Sequence, residues 1–275
     1  MHFGISTFLF HGQRLSRAHL EEIAAHGFDA IELFALRSHF DYSDPSAIAS
    51  LAEWLEATGL RLHSVHAPIN ESYADGAWGP GLSIADRDGR PTAVREAVAA
   101  MQIARTVPFR YLVVHVGTPD AYVSSRQDNS PDQARRAVEE LHAAASPLGI
   151  RLALEVIPNA LSSVDRLIRL IDDELELADA GLCLDFGHAF LLDDVVDAVE
   201  GGSGHLFTTH VHDNDGREDT HRVPFEGLID WPRALFALQK IGYEGRLVFE
   251  VTGASAEVLP KVRRACDRFE EIFAS

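Results

Sequence analysis

Eight short apolar, β-rich runs recur along the chain, at residues 2–7, 28–34, 60–66, 110–116, 150–156, 181–186, 205–212 and 246–251. Each is followed by a stretch with helical periodicity. About eight strand-helix alternations in 275 residues fit an α/β fold of the (β/α)8 TIM-barrel class better than a doubly wound sheet. The runs mostly lack polar alternation, as strands buried on both faces do. Helices are expected over 16–26, 45–58 and 131–148, each closed by the glycine just beyond it, Gly27, Gly59 and Gly149. No linker-like boundary interrupts the pattern, so residues 1–275 are expected to form one barrel domain. Two connections, 67–90 and 118–130, are long enough to carry function; the first holds Trp78 and several glycines and reads as a lid or aromatic wall.

In such a barrel the strand C-termini carry the chemistry. Four ionisable side chains stand where apolar runs give out: Glu155 in Leu-Ala-Leu-Glu-Val, Asp185 in Leu-Cys-Leu-Asp-Phe, His210 in Phe-Thr-Thr-His-Val and Glu250 in Leu-Val-Phe-Glu-Val. A buried acid is rarely left unpaired, so convergence of these four implies a salt-bridge network or a metal cage. Three carboxylates and an imidazole make a hard donor set that suits Mn²⁺ or Mg²⁺ and tolerates Co²⁺ or Zn²⁺. His212 lies two residues from His210, on the same strand face, and competes with it as the ligand. A second group is richer in imidazole: His66 and His115 end the third and fourth runs, His188 follows Asp185 by three residues, and Asp219 and His221 lie after the seventh run. These side chains are suited to hold further metal or to grip a polar substrate. Glu32, at the second run, is expected to pair internally or to hydrogen-bond substrate or a neighbouring histidine, and the remaining histidines, such as His19 and His142, read as surface residues.

Composition narrows the partners. With 42 acidic against 24 basic residues and a formal charge of −18, the chain repels phosphate backbones, so no nucleic-acid partner is expected. No apolar stretch reaches the length of a membrane span, and the start of the chain lacks a signal-like pattern, so a cytoplasmic protein is expected. Cys183 and Cys266 alone make no disulfide framework and are read as packing residues. Oligomeric state is not encoded in any readable motif, although barrels of this kind often pair.

The run Cys183-Leu-Asp185-Phe-Gly-His188, with His210-Val-His212-Asp213-Asn214-Asp215-Gly216 and Asp219-Thr220-His221, resembles the xylose-isomerase-like TIM-barrel superfamily of sugar isomerases and epimerases. Its ketose 3-epimerases hold one divalent metal with Glu, Asp, His and Glu. The resemblance assigns those roles to Glu155, Asp185, His210 and Glu250, and makes His188 and Arg217 substrate contacts. It also implies that Glu155 and Glu250 act as the acid/base pair, working through an enediolate, on a sugar, ketose or cyclitol. The same superfamily includes endonuclease IV, with three zinc ions; His66, His115 and the Asp219-Thr220-His221 triplet match its additional pattern. A zinc-dependent phosphodiesterase and an inosose-type dehydratase therefore stand as alternatives. In the epimerase reading His66, His115, His212 and His221 contact substrate. No glycine-rich phosphate cradle is visible, which favours an unphosphorylated substrate.

Overall fold

The computed structural model of the chain describes residues 1–123 and 129–274. Eight parallel strands close into a barrel in sequential order: β1 (His2–Ser6), β2 (Ala30–Phe34), β3 (Arg61–His66), β4 (Tyr111–His115), β5 (Arg151–Glu155), β6 (Gly181–Asp185), β7 (Leu206–Val211) and β8 (Arg246–Phe249), with β1 paired to β8. Helices pack outside, among them α1 (Arg17–Ala25), α2 (Pro45–Thr58), α3 (Arg90–Met101), α4 (Pro131–Ala145), α5 (Val164–Arg169), α6 (Phe186–Leu192), α7 (Val195–Gly201), α8 (Trp231–Lys240) and α9 (Ser255–Ala274). The expected TIM barrel is therefore the fold.

Local chemistry explains the boundaries. Asp44 caps α2 by accepting from the Ser46 amide, Pro45 opens its first turn, and Gly59 ends it at φ 71°, a left-handed conformation that side chains resist. Ser16 and His19 form a capping box on α1. Strands such as Ala30–Phe34 and Gly181–Asp185 are buried at every position, because helices cover one face and the barrel interior the other. The main apolar core lies between strands and helices, while a smaller cluster of Tyr111, Val113, Ala153 and Cys183 fills the barrel interior.

Register does the positioning that matters for function. His115 lies opposite Glu155 across β4 and β5, and Asp185 lies opposite His210 across β6 and β7. Val211 pairs with Phe249, which places Glu250 one step beyond, at the same rim. The long 67–90 connection is not structureless: Tyr73–Ala74 and Ala77–Trp78 form a small antiparallel hairpin, supported by a bridge between Asn70 and Gly81. In the 118–130 connection, Asp120–Tyr122 form a 3-10 turn, and residues 124–128 lie outside the described residues. Among the described residues, no helix is long and apolar enough to cross a membrane.

Candidate metal centre and catalytic cavity

Glu155, Asp185, His210 and Glu250 converge at the C-terminal mouth of the barrel, with donor atoms all within 4.8 Å of one another. His210 Nδ1 is the hub, 3.2 Å from Glu155 Oε1, 3.5 Å from Glu250 Oε2 and 3.7 Å from Asp185 Oδ2. All four residues are buried. Of the two competing histidines, His210 joins this cage, whereas His212 points its Nε2 at Asp185 Oδ1, 2.9 Å away.

Two further groups flank the cage. His66, His115 and Glu155 bring their donors within 4.8 Å of one another, and so do His188, His212, Asp219 and His221. Glu155 links the first of these to the cage: Oε2 lies 3.3 Å from His66 Nε2 and 3.2 Å from His115 Nε2, while Oε1 faces His210. Although these nitrogens are close, their angles miss hydrogen-bond geometry, so Oε2 is buried without a hydrogen-bond partner among the described residues. His212 Nδ1 is orphaned in the same way. Stranded carboxylate and imidazole atoms beside so many hard donors fit a divalent cation, which satisfies them where protein donors do not.

The charges follow from the packing. Burial alone would neutralise Glu155, yet the His115 and His210 imidazoles hold its carboxyl well below the usual range. Asp185 is likewise held down against its burial, by His188 and His212. Burial opposes a charge on His188 and His210, but the surrounding groups, led by Asp185 for the first and by Cys183 and Glu250 for the second, raise both well above an ordinary histidine. His221, pushed down by burial and up by Asp219, ends at about 9.

Behind the cage sits a support that sequence reading left open. Glu32 Oε1 is 3.1 Å from His210 Nε2, and Ser64 Oγ donates to Glu32 Oε2 at 2.8 Å. With the His210 Nε2–H directed to a carboxylate, Nδ1 is the atom that would face an ion held in the cage, an arrangement common behind metal-binding imidazoles. Cys183 packs beside His210 in the barrel interior, fully buried, its thiol pushed up by that burial. Not all the remaining histidines are surface residues: His39 is fully buried, with Nδ1 on the Gln13 carbonyl and Nε2 on Thr7 Oγ1.

Above the cage opens a cavity of about 540 Å³. Its inner wall is polar, with His66, His115, His188, His221, Asp219 and Glu250, and its outer wall is aromatic. There Trp78 stacks over His11 at 5.1 Å between ring centroids and edges onto Tyr73 at 4.8 Å, while Phe8 and Phe34 lie beneath. The phenylalanines gave no sequence signal distinct from core packing. The two glutamates are not equivalent: Glu250 lines the cavity, whereas Glu155 lies beneath His66, His115 and His188. Arg217 is not brought in; it is exposed on the loop after β7, its backbone N–H donating to Asp215. Asp213, in the same motif, is structural, accepting from the Asn214, Phe225 and Ile229 amides and from the Trp231 indole.

Known proteins share this architecture. The family described as Xylose isomerase-like TIM barrel matches residues 20–272. This chain belongs to that family. An uncharacterised protein of Methanocaldococcus jannaschii is 30% identical over 264 residues, covering 91% of this chain and 83% of its own. The L-ribulose-5-phosphate 3-epimerase UlaE of Shigella flexneri is 26% identical over 250 residues, covering 88% of this chain and 84% of its own. Among solved structures, a D-tagatose 3-epimerase-like protein superposes with a TM-score of 0.80 at 25% identity, covering 100% of this chain and 98% of that one.

Proposed function

We propose that the protein is a divalent-metal-dependent epimerase or isomerase of an unphosphorylated ketose or cyclitol. The observation that carries this reading is Glu250, a carboxylate of the four-donor cage that also opens onto a sugar-sized cavity. Glu155, Asp185, His210 and Glu250 would hold the ion, with Mn²⁺ favoured by the hard donor set. Bound there, the ion supplies Lewis acidity that makes a C–H next to a carbonyl removable. Glu250 takes that proton from the face it lines. Return to the opposite face runs through His115, whose ring lines the cavity while its Nε2 faces Glu155 Oε2 at 3.2 Å. Glu155 then acts through the imidazole rather than on substrate directly. Trp78 and Phe8 present a flat apolar surface to the C–H face of the ring or chain.

Similarity to an L-ribulose-5-phosphate 3-epimerase supports the reaction class. It does not extend to the phosphate, because no Lys or Arg is found among the described residues of the lining. The test is a screen of ketoses and cyclitol ketones in deuterated water. Glu250→Gln is expected to lose both deuterium uptake and inversion, while His115→Phe keeps uptake and loses inversion. Uptake unchanged in Glu250→Gln would remove it from proton transfer.

A second reading has its own observation. Glu155 divides its two oxygens between the cage and the His66–His115 pair, and His188, Asp219 and His221 gather on the other side, the layout of a multinuclear hydrolase. Metal content decides: one ion per chain supports epimerisation, and three zinc ions engaging His66, His115 and His221 support a zinc-dependent phosphodiesterase.

A further inference from the structure

The two mouths of the barrel are opposite in charge character. The C-terminal mouth is lined by acids and imidazoles, with no Lys or Arg among its described residues. At the N-terminal mouth a second cavity, about 290 Å³, is lined by Arg61, Arg110 and Arg246 together with His2, His63 and Tyr111. In a chain of net charge −18, such a gathering of arginines is not what composition alone would place there.

Charge accounting leaves this mouth positive. Arg61 and Arg246 both pair with Asp29, so two guanidiniums share one carboxylate. Burial would raise the Asp29 carboxyl, but the two guanidiniums hold it below its ordinary value, so it stays ionised. Arg110 has no carboxylate within ion-pair reach among the described residues; its guanidinium lies over the Tyr111 ring, 5.1 Å from the centroid. Arg151 stands alongside, 3.7 Å over Phe207, another residue of the lining. Glu244 is the acid of the wall, so three lining arginines face two carboxylates, Glu244 and the Asp29 that Arg61 and Arg246 share, while Arg151 has Asp179 beside it. His63 adds no charge, its pKa lowered to about 4 by burial first and then by Arg246 and Arg110.

The cavity also has polar atoms without partners. Tyr111 is 4% exposed and lines the wall, yet its hydroxyl makes no hydrogen bond among the described residues. That hydroxyl opens into the cavity beside guanidiniums, where it is placed to donate to an oxyanion. His63 gives its Nε2 to Thr208 Oγ1 at 3.1 Å, and its Nδ1 has no partner among the described residues.

We propose that this N-terminal mouth is a binding site for a small phosphate-class dianion, separate from the catalytic cavity. Arg110 and the free edge of Arg61 hold its oxygens, Arg246, engaged by Asp29 and the Phe3 carbonyl, adds positive charge, and the Tyr111 hydroxyl donates a further hydrogen bond. The volume admits a phosphate with a few attached carbons. Arg61, Tyr111 and Arg246 lie on the strands that lead to His66, His115 and, one residue past β8, Glu250, about 15 Å away at the strand rise. A ligand here therefore sits at the far ends of strands that build the catalytic mouth, without touching it.

The test is isothermal titration of the whole chain with inorganic phosphate and, in parallel, with glycerol 3-phosphate. Saturable one-to-one binding is expected, weakened at least tenfold in Arg110→Ala and several-fold in Tyr111→Phe. Tighter binding of the monoester identifies a phosphorylated metabolite as the source, and tighter binding of the free ion identifies phosphate itself. Arg110 is exposed, so its variant is expected to keep the thermal stability and metal content of the parent. His66→Ala controls for phosphate entering the catalytic cavity and is expected to bind as the parent does. No saturable binding, or binding undiminished in Arg110→Ala, overturns the proposal.

Discussion

At the scale of single residues, the ligand candidates were legible because an ionisable group that ends an apolar run has few ways to be satisfied. Glu155, Asp185, His210 and Glu250 are all brought together. What could not be read was which imidazole faces which acid, since that depends on rotamers across strands distant in sequence. Glu32 shows this: its partner His210 is 178 residues away, and only the closed barrel makes them neighbours. Its role yields a prediction. Glu32→Gln keeps a hydrogen-bond acceptor for Nε2–H but removes the charge, so Mn²⁺ affinity is expected to fall roughly 10- to 100-fold, measured by titration of the metal-stripped protein. The substrate KM, taken at saturating metal, is expected to stay within about twofold, because Glu32 does not line the cavity. Unchanged metal affinity would assign Glu32 to packing alone.

At the scale of elements, the predicted strands end within two residues of the observed ones, because two-sided burial writes a continuous apolar run and glycines mark where helices stop. The 67–90 connection was legible only as an excursion. Its hairpin carries no long periodic pattern, and the aromatic stack it completes is assembled from β1's following turn, β2 and the hairpin itself. Trp78 is 42% exposed, so Trp78→Ala is expected to leave the melting temperature nearly unchanged while raising KM several-fold, consistent with about 1 kcal/mol of ring contact. A fall in kcat without a change in KM would instead make the hairpin a lid. The start of α6 gives a sharper case. A Cβ on Gly187 would lie 1.9 Å from His212 Cε1, so Gly187→Ala must displace that ring from Asp185. Loss of metal affinity greater than that in a surface variant such as Arg217→Ala is expected in the same titration.

At the scale of the whole molecule, opposing sets of titrating groups shape stability. His39 and His63 are pushed down to about 4, chiefly by burial, so the fold favours their neutral forms. Their contribution is complete above the ordinary value of 6.5 and is lost as pH falls towards 4, about 3 kcal/mol for the fully buried His39. Glu155, Asp185 and Asp219, all held low, are lost in the same direction. The histidines of the mouth have the opposite sign. His66, His188, His210 and His221 are raised, the last to about 9, so their contribution is present below 6.5 and drains away as pH rises through their folded values. Metal-stripped protein is therefore expected to be most stable near neutrality, with melting temperatures falling at about pH 5 and again at about pH 9. A divalent ion needs neutral imidazole and ionised carboxylate, so its binding displaces those protons and tightens with pH. Added Mn²⁺ is expected to raise the melting temperature more at about pH 9 than at about pH 6, flattening the alkaline limb and leaving the acid limb in place. A metal-induced shift that is the same at both pH values would show that the imidazoles of the mouth are not what the ion displaces.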